Sequence, residues 1–393
     1  MKTVLDFNFL NKTALIRVDF NVPLDANQNV LDNTRILSAK PTILKIINDG
    51  GSCVLMSHLG RPKGWDLKYS LKHIFREVEN TLGRKVIFIP DCTGEETLKV
   101  LRSLKPGEIV LMENLRFYDE EINGCEKFAK RLSLCGDIYV NDAFGAAHRK
   151  HASTSVIADF FPNKKCSGLL LNKEITAIEK VLNTGERPIV AILGGAKVSS
   201  KITIINNIFK KVDAIILGGG MAYTFIKAQG GEIGDSICED DKIDLALELI
   251  ERAKENNVDL YLPTDVVAAD SFSNEANKKE LQIFNISKGW QGLDIGPASI
   301  KAFSKVIINA KTILWNGPMG VFEMPNFSNG TKAIGDAIKI STQNGAYSLV
   351  GGGDSVSAVK EFGLDKDVSY VSTGGGAMLE SLEGKTLPGI AAL

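Results

Sequence analysis

Ser52-Cys53-Val54-Leu55-Met56-Ser57 is a short apolar run that ends directly in His58-Leu59-Gly60-Arg61. It lacks the polar/apolar alternation of a half-exposed strand, so both faces need covering, as in a parallel sheet clad by helices. An amphipathic stretch over 71–82 follows, then a second apolar run, 85–89 (KVIFI). Strand, loop, helix, strand is the unit of an open α/β sheet, where ligands bind at the carboxyl ends of the strands. His58 and Arg61 sit at such an end.

The pattern repeats in both directions. Runs 14–18 (ALIRV), 108–112 (EIVLM) and 137–141 (DIYVN) complete a first set. A second set comprises 188–193, 213–217, 259–263, 312–316, 347–350 and 367–371, with helical patterns at 241–256 and 329–342. At 393 residues the chain is also long for one core. The expectation is two Rossmann-like, three-layer α/β domains, each a mainly parallel sheet flanked by helices. A helix bounded by Pro/Gly segments links them, which gives 1–168, a connecting helix 169–185, and 186–372. The tail 373–393 is expected to pack back on the first domain as part of a hinge.

Net charge is −1, which argues against nucleic acid or an acidic membrane surface as the main partner. The halves differ: residues 1–168 hold 24 Lys+Arg and 20 Asp+Glu, leaving 46 − 24 = 22 and 47 − 20 = 27 for the rest. The first half is the better anion attractor. Six cysteines without CxxC or zinc spacing, no signal-peptide core and no membrane-length apolar run suggest a reduced, cytoplasmic protein.

Unusual residues recur at strand ends. Asp19-Phe20-Asn21 follows the first strand, with Arg35 beyond. Arg116 follows 108–112, and His148-Arg149-Lys150-His151 follows 137–141. A single arginine there is best read as a solvated charge. Several at one topological position point to a site for a small, highly charged anion. The second half offers bare backbone instead: Gly194-Gly195-Ala196-Lys197-Val198-Ser199-Ser200-Lys201, Gly218-Gly219-Gly220, and Gly351-Gly352-Gly353-Asp354. Glycines before a helix let phosphate oxygens reach main-chain N–H groups. Lys197 and Lys201, four apart, are expected on one helix face. Asp354 reads either as a helix cap or as a ligand for a phosphate-bound Mg²⁺. There is no GxxxxGK[ST] loop, no GxGxxG turn after the first strand, and no Ser-His-Asp arrangement.

Longer motifs carry a resemblance. Arg17-Val18-Asp19-Phe20-Asn21-Val22-Pro23, Ser57-His58-Leu59-Gly60-Arg61-Pro62, Glu113-Asn114-Leu115-Arg116-Phe117, Ala147-His148-Arg149, Gly194-Gly195-Ala196-Lys197-Val198, Leu314-Trp315-Asn316-Gly317-Pro318 and Ser372-Thr373-Gly374-Gly375-Gly376 stand in the order found in phosphoglycerate kinases. The chain resembles that family over essentially its whole length. The resemblance implies a glycolytic and gluconeogenic enzyme that reversibly transfers the acyl phosphate of 1,3-bisphosphoglycerate to ADP. The products are 3-phosphoglycerate and ATP, with Mg²⁺ carried on the nucleotide. It implies a substrate site of Asp19, Phe20, Asn21, Arg35, His58, Leu59, Gly60, Arg61, Arg116, Arg149 and His151. It implies nucleotide contacts from Gly194, Gly195, Lys201, Gly218, Gly219, Gly292, Asn316, Glu323, Gly351, Gly352, Gly353 and Asp354, the last also binding the metal. It also suggests a monomer. Ser200 departs from the aspartate common in relatives, which would bear on how Lys201 is oriented.

The implied chemistry needs no general base, because both possible attacking groups are already anionic. It needs in-line placement and charge neutralisation, for which Arg35 and Lys197 are the candidates. Two other classes compete. A two-domain dehydrogenase lacks its dinucleotide fingerprint, and a non-catalytic anion-binding protein leaves the lysine pair and Gly351–Asp354 without a purpose.

Overall fold

The computed structural model describes residues 1–393, which form two compact units, Met1–Thr176 with Thr386–Leu393 and Ala177–Lys385. In the first unit β1 (Thr13–Arg17), β2 (Ser52–Met56), β3 (Val86–Ile89), β4 (Ile109–Met112), β5 (Ile138–Asn141) and β6 (Lys165–Ser167) form one sheet, ordered β3-β4-β2-β1-β5-β6. Every pairing in it is parallel. The helices are α1 (Thr34–Asn48), α2 (Phe75–Leu82), α3 (Glu95–Arg102), the single turn α4 (Asp119–Ile122), and α5 (Glu126–Ser133).

Both faces are buried, as the apolar runs require. Ala14 and Ile16 of β1, with Cys53 and Leu55 of β2, face one core beneath α1. Leu15, Val54 and Met56 face a second core that contains Phe128 and Leu132 of α5. Neighbouring residues on a strand therefore feed opposite cores, which defines a three-layer arrangement.

α6 (Leu169–Leu182) continues without a break past the division between the units, which falls after Thr176. The second unit holds β7 (Ile189–Leu193), α7 (Ile202–Ile208), β8 (Ala214–Leu217), α8 (Met221–Ala228), β9 (Glu232–Ile233), α9 (Ile243–Glu255) and β10 (Asp259–Tyr261). It continues through β11 (Asp265–Ala269), β12 (Lys278–Gln282), β13 (Asn285–Ile286), β14 (Gln291–Ile295), α10 (Pro297–Ile308) and β15 (Thr312–Asn316). α11 (Asn329–Gln343), β16 (Tyr347–Val350), α12 (Gly353–Glu361), β17 (Tyr370–Val371) and α13 (Gly376–Leu382) complete it. Its main sheet is parallel, ordered β10-β8-β7-β15-β16-β17, over a core of Ile192, Phe303, Trp315 and Ile334.

The sequence reading did not anticipate a small antiparallel sheet, β12-β11-β14. Lys278–Gln282 alternates between exposed and half-buried and is almost wholly polar, so it offers no apolar run. The return to the first unit is also shorter than expected. Asn207 donates to the Leu382 carbonyl at 2.6 Å, within the second unit. Only α14 (Pro388–Ala391) and its flanks join the first, with Gly389 N donating to Ala147 O at 2.8 Å.

Candidate functional site

At the carboxyl ends of β1, β2, β4 and β5 the first unit gathers most of the expected anion ligands. Arg35 stands in the first turn of α1, where the helix dipole disfavours a cation. Asp19 compensates it: Arg35 Nη1 and Asp19 Oδ2 are 2.5 Å apart, and Asp19 is buried. Asn21 Oδ1 accepts from Gly60 N at 2.8 Å, and Phe20 N donates to Ser57 Oγ at 2.9 Å, which ties the first loop to the second. Asn114 donates to Leu59 O and Arg116 Nη1 to Gly60 O, at 2.8 and 2.7 Å. Gly60 has φ +63°, and a Cβ there would stand 2.3 Å from the Tyr69 ring, so the loop admits no other residue without rearrangement. Asn21, Leu59 and Gly60 also line a cavity of about 520 Å³ with Lys68 and Tyr69. Arg61 and Arg149 are exposed, and His151 is buried.

The electrostatics show that these cations share one field. Burial holds the His58 imidazole well below its usual range, and Arg17, Arg116, Arg35 and His151 push it further down. His151 is brought to about 4, first by burial and then by Arg17, Arg116 and Arg149. Even Arg116 falls to about 10, from burial and from Arg17 and Arg61, with Glu121 and Asp19 opposing. Arg116 Nε is buried without a hydrogen-bond partner. The two imidazoles are thereby neutral beside the arginines, and a multiply charged anion suits such a mixture of guanidinium charges and neutral donors.

The second unit builds a cavity of about 450 Å³ whose walls include Gly195, Gly219, Gly220, Gly292, Leu293, Met319 and Val321, with Glu323 and Asp354 at polar positions. Gly292, within β14, lies against the Tyr223 hydroxyl, which a Cβ would approach to 1.8 Å. Not every expected nucleotide residue lines this space. Gly194 is buried against the Pro318 carbonyl, and Gly218 lies against the Met319 sulfur. Asn316 is buried; its Oδ1 accepts from Lys201, and its Nδ2 donates to Gly351 O at 2.6 Å. Tyr223, Phe272, Leu293, Met319 and Val321 line the cavity although the sequence reading did not single them out. Apolar residues carry no local signal of a site.

Two expectations need correcting. Lys197 and Lys201 do not share a helix face: a 3-10 turn, Val198–Ser200, intervenes, and Lys201 only precedes α7. Lys197 is exposed, whereas Lys201 is half-buried and lowered by desolvation, with Asp354 opposing that shift. Asp354 does not cap α12 either, because the N-cap is Gly352 and makes no side-chain hydrogen bond. Its carboxylate is exposed at the cavity wall. No group of three or more acidic, His or Cys side chains could hold an ion by itself. Asp354 fits a Mg²⁺ that takes most of its oxygen ligands from phosphates and water.

A parallel-sheet protein with arginines and histidines gathered behind the strand ends of one unit and a glycine-walled cavity in the other has the parts of a phosphotransferase. The comparisons specify which. The sequence profile of the family "Phosphoglycerate kinase" matches residues 4–385. A phosphoglycerate kinase of Porphyromonas gingivalis is 52% identical over 415 residues, covering 100% of this chain and 99% of its own. One from Chloroherpeton thalassium is 49% identical, covering 100% and 98%. The solved structure of phosphoglycerate kinase from Coxiella burnetii superposes with a TM-score of 0.91 at 41% identity, over 99% of this chain and 98% of that one. The chain belongs to the phosphoglycerate kinase family. It is a phosphotransferase with a carboxyl group as acceptor, and its activity is the glycolytic one of that family.

Proposed function

We propose that the first unit binds 3-phosphoglycerate or 1,3-bisphosphoglycerate, and that the second binds MgADP or MgATP. The gathering of Arg35, His58, Arg116 and His151 behind the strand ends of one sheet carries this reading; burial first, and then Arg17 and Arg116, hold the two imidazoles below their usual range. Arg116, Arg61, Arg149 and His151 would take the phosphate, while Asp19 and Asn21 would read the hydroxyl. Arg35 is held ready by Asp19 and would face the reacting carboxyl group.

In the transfer the bond from phosphorus to the acyl oxygen breaks, and a bond to a terminal ADP oxygen forms. The carboxylate leaves as an anion, so no proton need move. Arg35 and Lys197 would neutralise the oxygens of the migrating group, and Lys201 and the 351–353 backbone would hold the nucleotide phosphates. Asp354 would help hold the Mg²⁺ carried on the nucleotide, which would supply further charge neutralisation when bound. Glu323, on the cavity wall, is placed for the ribose. No helix is long and apolar enough to cross a membrane. A cytoplasmic location is consistent with a relative titled "Phosphoglycerate kinase 3, cytosolic" from Arabidopsis thaliana, and the proposed form there is a monomer acting on small molecules.

Incubation with 3-phosphoglycerate, MgATP and hydroxylamine tests the assignment, since hydroxylamine traps acyl phosphates as coloured hydroxamates. Colour should require both substrates. Arg35→Ala should lower turnover by about a hundredfold or more while MgADP still binds. Normal turnover in that variant removes Arg35 from the transfer step.

A further inference from the structure

Arg17 ends β1 and is only 1% exposed. Its Nε donates to Ser153 Oγ at 2.8 Å, Nη1 donates to the Val18 carbonyl, and Nη2 lies 3.1 Å from His58 Nδ1. All three guanidinium nitrogens are thus engaged inside the protein, which leaves Arg17 a supporting role. A guanidinium can only donate, so His58 Nδ1 must accept. The proton of the neutral ring then sits on Nε2.

The chain of contacts continues on the other side. Ser153 Oγ accepts from Arg17, so its own proton goes to Glu121 Oε1 at 2.6 Å, while Ser153 N donates to Oε2 at 2.9 Å. Glu121 is fully buried on α4, and both its oxygens act as acceptors. It is the counter-charge that a buried arginine needs. The same Oε1 lies 3.8 Å from His151 Nδ1, a buried ring nitrogen without a hydrogen-bond partner.

We infer that Glu121, acting through Ser153 and Arg17, presets His58 as an imidazole protonated on Nε2 and therefore as a hydrogen-bond donor to the bound anion. Glu121, Ser153 and Arg17 are positioning residues, and His58 makes the contact. A free imidazole can adopt either tautomer, and the wrong one would turn a lone pair towards an anion. Burial and the surrounding Arg17, Arg116, Arg35 and His151 keep the ring neutral, so its tautomer decides whether it attracts or repels. The inference rests on the first unit being the site of the anionic acceptor.

The test is ¹⁵N NMR of histidine-labelled full-length protein, with His58 assigned through His58→Gln. Wild type should show an unprotonated Nδ1 and a protonated Nε2. In Glu121→Gln and Ser153→Ala the tautomers should mix. KM for 3-phosphoglycerate should then rise on the order of tenfold, while kcat and MgADP affinity stay within about twofold. A wild-type proton on Nδ1 overturns the inference, as do unchanged tautomers in both variants. If Glu121→Gln does not melt cooperatively, Ser153→Ala decides, because it keeps the charge and removes only the relay. Absence of phosphoryl transfer in the wild-type enzyme would instead count against the functional reading, and the tautomer would still be judged by its own spectrum.

Discussion

Two buried aspartates show how single residues couple the fold to pH. Asp142, at the end of β5, is fully buried; its Oδ1 accepts from Leu171 N at 3.0 Å at the start of α6, and its Oδ2 has no partner. Burial raises its carboxyl to about 7. Asp294 receives Gly330 N at 2.7 Å at the start of α11 and is likewise raised to about 7 by burial. A carboxyl whose folded pKa lies above its unfolded value of 3.8 adds stability that is full below pH 3.8 and lost as pH rises through 7. Asp142→Asn, neutral throughout, should therefore gain stability relative to wild type between pH 5 and pH 8, by at most about 3 kcal/mol. Thermal melts across that range check it; a difference independent of pH would mean that Asp142 is ionised throughout.

The sequence showed some of these residues and hid others. Arg17 is an ionisable group inside the apolar run ALIRV, a position that calls for a buried, paired charge, yet it read as the end of a strand. Glu121 gave no signal, because it follows two other acids and its partner Ser153 lies 32 residues away.

Among elements, the 3-10 turn Val198–Ser200 decides where Lys197 points. Glu239 holds that turn: its carboxylate accepts from Ser199 N at 2.9 Å and from Ser199 Oγ at 2.5 Å. On the role proposed for Lys197, Glu239→Ala should loosen the turn and lower kcat about tenfold, with little change in MgADP affinity, because a misplaced Lys197 would cost the transition state more than the ground state. Steady-state kinetics beside a nucleotide titration separate the two; equal losses in both would make Glu239 a binding residue. Spacing alone suggested a shared helix face for Lys197 and Lys201, because it cannot distinguish a helix from a turn followed by a helix. The antiparallel β11, β12 and β14 carry a weak local signal for a related reason: Lys278–Gln282 is almost wholly polar, and Gly292 interrupts the apolar character of Gln291–Ile295.

At the scale of the molecule, each ligand should leave a footprint confined to one unit. By hydrogen exchange, 3-phosphoglycerate alone should protect amides in 19–22, 58–61 and 115–118, and MgADP alone those in 194–201, 218–221 and 291–294. At a hundred times its Kd either ligand adds about 2.7 kcal/mol of stability, enough to read. Protection by 3-phosphoglycerate within 194–201 would contradict the assignment of ligands to units.

Local order carried the sequence reading far. Apolar runs of strand length, and charges or glycines placed directly after them, determined two parallel α/β sheets and the strand ends where those charges and glycines gather, because burial on two faces leaves a mark in consecutive residues. Tertiary structure decided what consecutive residues cannot encode. It placed Asp19 against Arg35, Glu121 behind Ser153 and Arg17, and Tyr223 against Gly292. Each of these is a contact between distant segments, and its geometry, charge state and tautomer follow from the packing that brings them together.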